Sequence, residues 1–350
     1  MKVLFAPDWR DGNPYQSLLA EALGRLGVEV VFPHGYCRGM PLARMRERKT
    51  ADIIHLHWPE AYYSKKSSEL LFLFRRLRFG IDLRLALSGR ALVATAHNLL
   101  PHGQTASALA FHNQKLFIDR ADAVMVHSQA SRQVIEKTFT VKESKFWFVQ
   151  HGDLSVTLGA PIARAEARRQ LWIDDRPLCL MFGAVDPYKG IEDVIRFWRA
   201  HRPAVRLAII GRSWNRKYAR QLVALADGDE DIRFELDWLS NDQLRQWLSA
   251  ADCAIFNYQA ILTSGGASLA RSYGIPILIP SRLDTVDLTE PCDRVFRFAE
   301  IGPSLSALLE TAAARGSSFE SAADWRSQTS WDAIAAVHKQ AYEQALSNRS

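Results

Sequence analysis

Short apolar runs recur along the whole chain, separated by stretches whose apolar residues fall at helical spacing. Three runs in the first half end in histidine: Ile53-Ile54-His55-Leu56-His57, Ala91-Leu92-Val93-Ala94-Thr95-Ala96-His97 and Ala123-Val124-Met125-Val126-His127. Runs this short, without polar alternation, predict strands buried on both faces, the pattern of a parallel sheet. Parallel strands need long crossovers, which the intervening helical segments supply. Ligands of open α/β sheets sit beyond the carboxyl ends of the strands, so a polar residue that recurs there points to a site. One strand-end histidine carries little weight. Three on one edge, with Asp8 just past a first strand at Lys2–Ala6, predict a cleft.

Strands are expected near 2–6, 28–32, 52–57, 91–96, 122–127 and 145–149, and again near 178–183, 205–210, 231–236, 252–257, 276–280 and 294–297. Helical spacing marks Tyr15–Leu26, Ser107–Arg120 and Trp331–Leu346. A chain of 350 residues suits two such α/β domains better than one core. The expected division is 1–160, 161–330, and a last helix in 331–350 that packs back across the boundary. The architecture expected is two doubly wound Rossmann-like domains facing each other over a cleft.

Composition excludes several classes. No apolar stretch approaches the roughly 20 residues that span a bilayer. Met-Lys-Val-Leu-Phe-Ala runs directly into Pro-Asp-Trp-Arg, which reads as a strand and its loop and not as a leader peptide. Cys37, Cys179, Cys253 and Cys292 are scattered, so reduced thiols of a cytoplasmic protein are expected and a zinc knuckle is not. The formal charge of +6 lies unevenly: residues 1–160 carry +7 and the rest −1. The densest part, Lys65 to Arg90, interleaves leucine and phenylalanine with Arg75, Arg76 and Arg78. That mixture suits a helix on an anionic membrane surface, or equally a core-facing helix with a solvated basic face. No helix-turn-helix, zinc-finger or RNA-recognition signature is present, so nucleic acid is not an expected partner.

The second half carries three loops suited to anions. Leu178–Gly183 runs into Asp186-Pro187-Tyr188-Lys189-Gly190 and a helix start, where free N–H groups and the lysine offer positive charge. Thr263-Ser264-Gly265-Gly266 also opens a helix, with small side chains that allow close backbone approach. Arg212 follows Ile209-Ile210-Gly211 and offers a fork for a diphosphate. A Walker A lysine motif is absent, and no Gly-x-Gly-x-x-Gly follows the first strand.

The set Asn13-Pro14-Tyr15, His55-Leu56-His57-Trp58-Pro59-Glu60, His97-Asn98-Leu99-Leu100-Pro101-His102, Phe182-Gly183 with Pro187-Tyr188-Lys189-Gly190, and Ser264-Gly265 resembles GT-B glycosyltransferases of bacterial exopolysaccharide assembly. The likeness is to the xanthan-type enzymes that add mannose from GDP-mannose to a lipid-linked oligosaccharide. It implies a GT-B fold, a peripheral place at the inner face of the cell membrane, and no cofactor beyond the nucleotide-sugar donor. The resemblance puts Lys189, Ser264 and Gly265 on the donor diphosphate and His97 on the donor sugar or its phosphate. Tyr188, Arg212, Thr263 and Gly266 join that donor group, with Trp238 near the base. Asn13, Tyr15, His57, Trp58 and Tyr62 fall on the acceptor side, where aromatic rings suit stacking on sugars.

Departures from the family pattern shape the expected mechanism. Retaining relatives carry paired glutamates around the Ser-Gly region, whereas Ala-Ser-Leu-Ala-Arg-Ser-Tyr-Gly here holds no acid. An inverting, metal-independent transfer is therefore expected. Pro101-His102-Gly103 lacks the glutamate common in the xanthan-like group, and Asp186 stands where a basic residue is common. Inversion needs a base opposite the leaving diphosphate. Glu60 leads, since Trp58 shields its loop and Pro59 stiffens it; Asp8 is second and His102 third. Glu60 has an alternative reading as an ion-pair partner of the basic helix. A zinc site on His55, His57 and His97 is not expected. Other functions kept open are a retaining enzyme using a UDP-sugar, a GT-B-shaped epimerase, and a silent nucleotide-sugar binder.

Overall fold

The computed structural model describes residues 1–11, 13–34, 39–59, 62, 69–97, 114–139, 141–259, 261–283, 294–315 and 322–349. Within these ranges the side chains of 69, 70, 72, 76, 314 and 315 fall outside the description. The chain divides into two compact units, Met1–Gly152 with Thr329–Ser350, and Asp153–Gln328.

In the first unit, strands β1 (Lys2–Ala6), β2 (Glu29–Val31), β3 (Ile53–His57), β4 (Ala91–Thr95), β5 (Ala123–Val126) and β6 (Phe146–Phe148) form one sheet in the order β2-β1-β3-β4-β5-β6. Every pairing is parallel. The interior strands β3, β4 and β5 are buried throughout, which is why they read as unbroken apolar runs. From β1 the chain builds β2 on one side and β3 on the other. The carboxyl ends of β1 and β3 thus flank the point where strand order reverses, the usual ligand crevice of open α/β sheets. The terminal helix Trp331–Ser347 starts at a Ser330 cap and buries Trp331, Ile334, Ala335, His338, Ala341, Tyr342 and Ala345, one helical stripe. Its Tyr342 hydroxyl lies 2.7 Å from His55 Nδ1, so it belongs to this unit's interior.

In the second unit, β7 (Leu178–Phe182), β8 (Arg206–Ile210), β9 (Ile232–Glu235), β10 (Cys253–Ile255), β11 (Ile277–Pro280) and β12 (Val295–Phe298) pair in parallel in the order β12-β11-β10-β7-β8-β9. Successive residues alternate between two cores. Leu178, Leu180, Phe182, Ala208 and Ile210 pack on one face of the sheet. Cys179, Met181, Leu207 and Ile209 pack on the other. Each fully buried leucine or isoleucine contributes about 1.5–3 kcal/mol, so both faces must be covered by helices. Strand order here reverses between β7 and β10. All twelve strands lie where the apolar runs placed them, within one or two residues at the ends.

Candidate active site

At the reversal point of the second sheet the chain brings together three turns. The first follows β7, where Gly183 (φ 91°) opens a loop to the short 3-10 turn Pro187–Lys189, capped by the Asp186 side chain accepting from the Tyr188 N–H. Lys189 is buried and its Nζ donates to the Phe182 carbonyl at 2.6 Å. Burial pushes this ammonium down to about 8, partly offset by the nearby Asp186 carboxylate. A Cβ on Gly183 would sit 2.9 Å from Nζ, so the glycine leaves the amine its room. Gly190 (φ 59°) follows, and a Cβ there would lie 2.6 Å from the Asn257 carbonyl oxygen. The absent side chain lets Asn257 Nδ2 donate to the Gly190 carbonyl at 2.8 Å and ties the β7 and β10 loops together.

The second turn follows β10. Tyr258 stacks on Tyr188 at 5.8 Å with planes 5° apart, and its hydroxyl lies 2.6 Å from Ser264 Oγ. That Oγ also accepts from the Ala267 N–H at 3.1 Å, capping the helix Gly265–Ser272. Two helix starts therefore meet this edge, and they differ. Ile191–His201 carries Glu192 and Asp193 in its first turn, so acids already answer its positive end. Gly265–Ser272 has no acid there.

The third turn follows β8. Gly211 (φ 125°) comes so close that a Cβ would meet the Gly183 carbonyl oxygen at 2.3 Å, and Val185 N donates to the Arg212 carbonyl at 2.9 Å. The exposed Arg212 side chain lies over the Trp214 ring at 3.8 Å. With Arg216, Arg220 and Asp237 it lines a depression of about 580 Å³. Trp238 is 63% exposed and follows β9, two strands from β7, roughly 10 Å along the sheet. Thr263 is partly exposed beside the Ser264 cap.

The first unit's edge is built differently. His57, His97, His127 and His151 follow or end β3, β4, β5 and β6, and all four are buried. Three of them bond in a chain: His57 Nδ1 to His97 Nε2 at 3.3 Å, and His97 Nδ1 to His127 Nε2 at 3.2 Å, with His127 Nδ1 donating to the Val149 carbonyl at 2.9 Å. Burial, reinforced by neighbouring imidazoles, holds His55, His57 and His97 well below the usual histidine range and pushes His127 down to about 3. Burial alone lowers His151 against its backbone bond and brings His338 down to about 4. Burial keeps the row neutral, and His57 Nε2 at its end is buried with no partner. Among the described residues no group of three or more His, Cys, Asp or Glu is set to hold a metal ion.

Several residues expected to meet ligands lie elsewhere. Tyr15 is wholly buried, with ring contacts to His57, His97, His127, His151 and Trp331 at 5.1–6.1 Å. His57 is equally buried, and both ring nitrogens of His97 are taken by other histidines, so none remains for a donor phosphate. Tyr62 packs under the basic helix against Phe79 at 6.3 Å. Asn13 accepts from the Tyr15 N–H at 3.0 Å and shapes the turn into the helix Tyr15–Arg25. Asp8 is gripped by Arg10, whose Nη2 lies 2.8 Å away; this bond holds the carboxyl below its usual range and weakens it as a base. Glu60 and His102 lie outside the described residues. Sequence reasoning overlooked Asn257 at this edge. It also overlooked His151, although Phe146-Trp147-Phe148-Val149-Gln150-His151 repeats the strand-then-histidine signal.

No family model matches the chain. Over 345 residues, 95% of this chain and 89% of the relative, it is 26% identical to the GDP-mannose:glycolipid 4-β-D-mannosyltransferase of Xanthomonas campestris pv. campestris. Among solved structures it superposes on the sucrose-phosphate synthase of Thermosynechococcus elongatus with a TM-score of 0.73 at 17% identity, covering 99% of each chain. It also matches HepE of Anabaena in complex with UDP-glucose, with a TM-score of 0.67 at 16% identity, covering 100% of this chain and 99% of that one. Two parallel six-stranded sheets with these neighbours are the GT-B fold. The chain has the GT-B fold, and the relative and the structural neighbours it is similar to are glycosyltransferases.

Proposed function

We propose that this glycosyltransferase moves mannose from GDP-mannose to a lipid-linked saccharide, with inversion and without a metal ion. The observation that carries the reading is the buried Lys189 ammonium at the same sheet edge as the acid-free helix start at Gly265, at the strand-order reversal of the second sheet. A diphosphate there meets a fixed positive charge and free backbone N–H groups, which stabilise the leaving group as its bond to the anomeric carbon breaks. Arg212, Thr263, Ser264 and Gly266 complete the donor set, Tyr188 flanks it, and Trp238 extends it toward the base. The choice of GDP-mannose rests on the named Xanthomonas relative. Inversion is supported by the helix Gly265–Ser272, which carries no carboxylate to act at the donor sugar. The acceptor hydroxyl then attacks from the opposite face and gives its proton to a base, for which Glu60 is assigned.

The acceptor and the membrane belong to the first unit in this reading. The helix Glu69–Ala86 turns Asp82 inward, where it accepts from the Leu42 and Ala43 N–H groups at 2.9 and 2.8 Å. Its other face leaves Phe74 61%, Leu77 68%, Ile81 44% and Leu85 49% exposed, with Arg84 exposed and Arg75 and Arg78 partly so. An apolar stripe at helical spacing with arginines along it fits an anionic bilayer surface, the expected place of a lipid-linked acceptor at the inner face of the cell membrane. Among the described residues no helix is long and apolar enough to cross a membrane.

A thermal-shift panel of GDP, UDP and dTDP sugars tests the donor, with GDP-mannose expected to give the largest shift; a larger shift with a UDP-sugar overturns that choice. Glu60→Gln should keep donor binding and lose most of the transfer rate, and near wild-type turnover removes Glu60 as the base. Nucleotide-sugar binding without acceptor-dependent turnover would point to a binder, and C2- or C4-inverted free sugar to an epimerase. Replacing Phe74 and Leu77 by serine should release the protein from phosphatidylglycerol vesicles; unchanged sedimentation contradicts the membrane face.

A further inference from the structure

We propose that Trp58 and His97 form a sugar-stacking platform at the carboxyl ends of β3 and β4, and that His57 and His127 are its positioning residues. The proposal rests on the reading that the first unit receives the saccharide acceptor. It adds where one sugar ring lies and what holds that surface still.

The direction of the histidine chain follows from its far end. The Val149 carbonyl can only accept, so His127 Nδ1 carries the proton. In a neutral ring Nε2 is then bare, and His97 must present Nδ1–H to it. His97 Nε2 is bare in turn and accepts from His57 Nδ1–H. All three tautomers are set by one backbone carbonyl, and the chain ends at His57 Nε2, buried with no partner. His97 is thereby held at two in-plane points on opposite sides of its ring. Its face carries the Trp58 indole, 3.8 Å away with planes 11° apart.

Trp58 is placed with equal force. Its backbone has φ 48°, a left-handed conformation unusual for a bulky residue and maintained only where surroundings dictate it. Tyr15 meets it edge-on at 6.1 Å, planes 80° apart. Unlike every histidine beneath it, Trp58 keeps solvent-exposed surface. A partly exposed indole on a fixed imidazole, at the reversal point of a parallel sheet, offers a flat apolar surface beside a polar strand edge. The matching ligand is a pyranose, whose axial C–H groups make one face apolar while its hydroxyls point outward. Holding the indole in advance spares the ordering of a large side chain on binding.

The test is saturation-transfer NMR on the full chain with the methyl glycosides of glucose, mannose and galactose, alongside calorimetry with GDP. At least one glycoside should receive saturation concentrated on the axial protons of one ring face. Trp58→Ala should abolish it. His127→Phe keeps an aromatic ring but removes the Nε2 acceptor, and should weaken binding about 3- to 10-fold. His127→Gln places an amide oxygen where Nε2 was and should restore it, which simple loss of packing would not. Thermal midpoints identify any variant that fails to fold, and Trp58→Ala then carries the test. Wild-type signal strength in Trp58→Ala, or in folded His127→Phe, overturns the platform. Absence of GDP binding in the parent protein overturns the donor reading and leaves the sugar result to be judged by itself.

Discussion

The two sheets share a strand count, a parallel sense and a reversal of order beside their first strand, yet their carboxyl edges hold opposite chemistry. The first edge is filled with large rings: buried histidines bonded to each other and closed over by Tyr15, Trp331 and Tyr342. The second is opened by Gly183, Gly190 and Gly211, all at positive φ, and holds the buried Lys189. The topology chooses the edge, and the side chains decide whether it packs against itself or leaves backbone exposed.

Acid should separate the two edges most sharply. A histidine with a lowered folded pKa binds its proton only after unfolding, so the unfolded state takes up more protons once pH drops below about 6.5. Stability is then lost at about 1.4 kcal/mol per pH unit for each such group, down to the folded values of about 4 for His338 and about 3 for His127. Hydrogen exchange read peptide by peptide should show β3 to β5 opening between pH 6.5 and 4 while β7 and β8 stay protected. Equal loss in both sheets would break the contrast.

Next in size is the charge at Lys189. Lys189→Met should lower transfer about 100-fold or more, the range seen when a preorganised charge at a leaving group is removed, with little change in the first sheet's protection. A tenfold loss or less would demote this amine. Gly211→Ala should follow, costing about 1–3 kcal/mol of second-unit stability because its Cβ has no room against the Gly183 carbonyl. An unchanged thermal midpoint would show that this backbone contact is not tight. The smallest expected effect is alkaline. Lys189, pushed down to about 8, loses its charge as pH rises past that value in the empty protein. Diphosphate affinity should fall several-fold between pH 8 and 9.5, opposite in sign to the acid response of the first edge. A flat profile would mean the amine stays charged.

The strands were legible because a residue buried on both faces must be apolar, and that needs no long-range information. Lys189 and the Ser264 cap were legible for a similar reason: a turn and the helix after it lie within one stretch of chain. The Asp8–Arg10 pair was also local, two residues apart, and was open to the same reading. The fate of the histidines was not. Whether His57 faces a ligand or the interior depends on Trp331–Ser347, nearly three hundred residues later, which contributes Tyr342 and His338 to the same cluster. Strand-end position predicted an edge, and only packing told which side of each ring was covered.

In the proposed reaction the second edge holds a nucleotide sugar whose mannose passes to a lipid-linked acceptor. Incubating the protein with GDP-[14C]mannose and lipid-linked saccharides, then counting label in the organic phase, tests it most directly. Label should enter the lipid fraction with the parent chain, require the acceptor, and fall to background with Lys189→Met. Acceptor-independent release of label, or undiminished transfer by Lys189→Met, would contradict it.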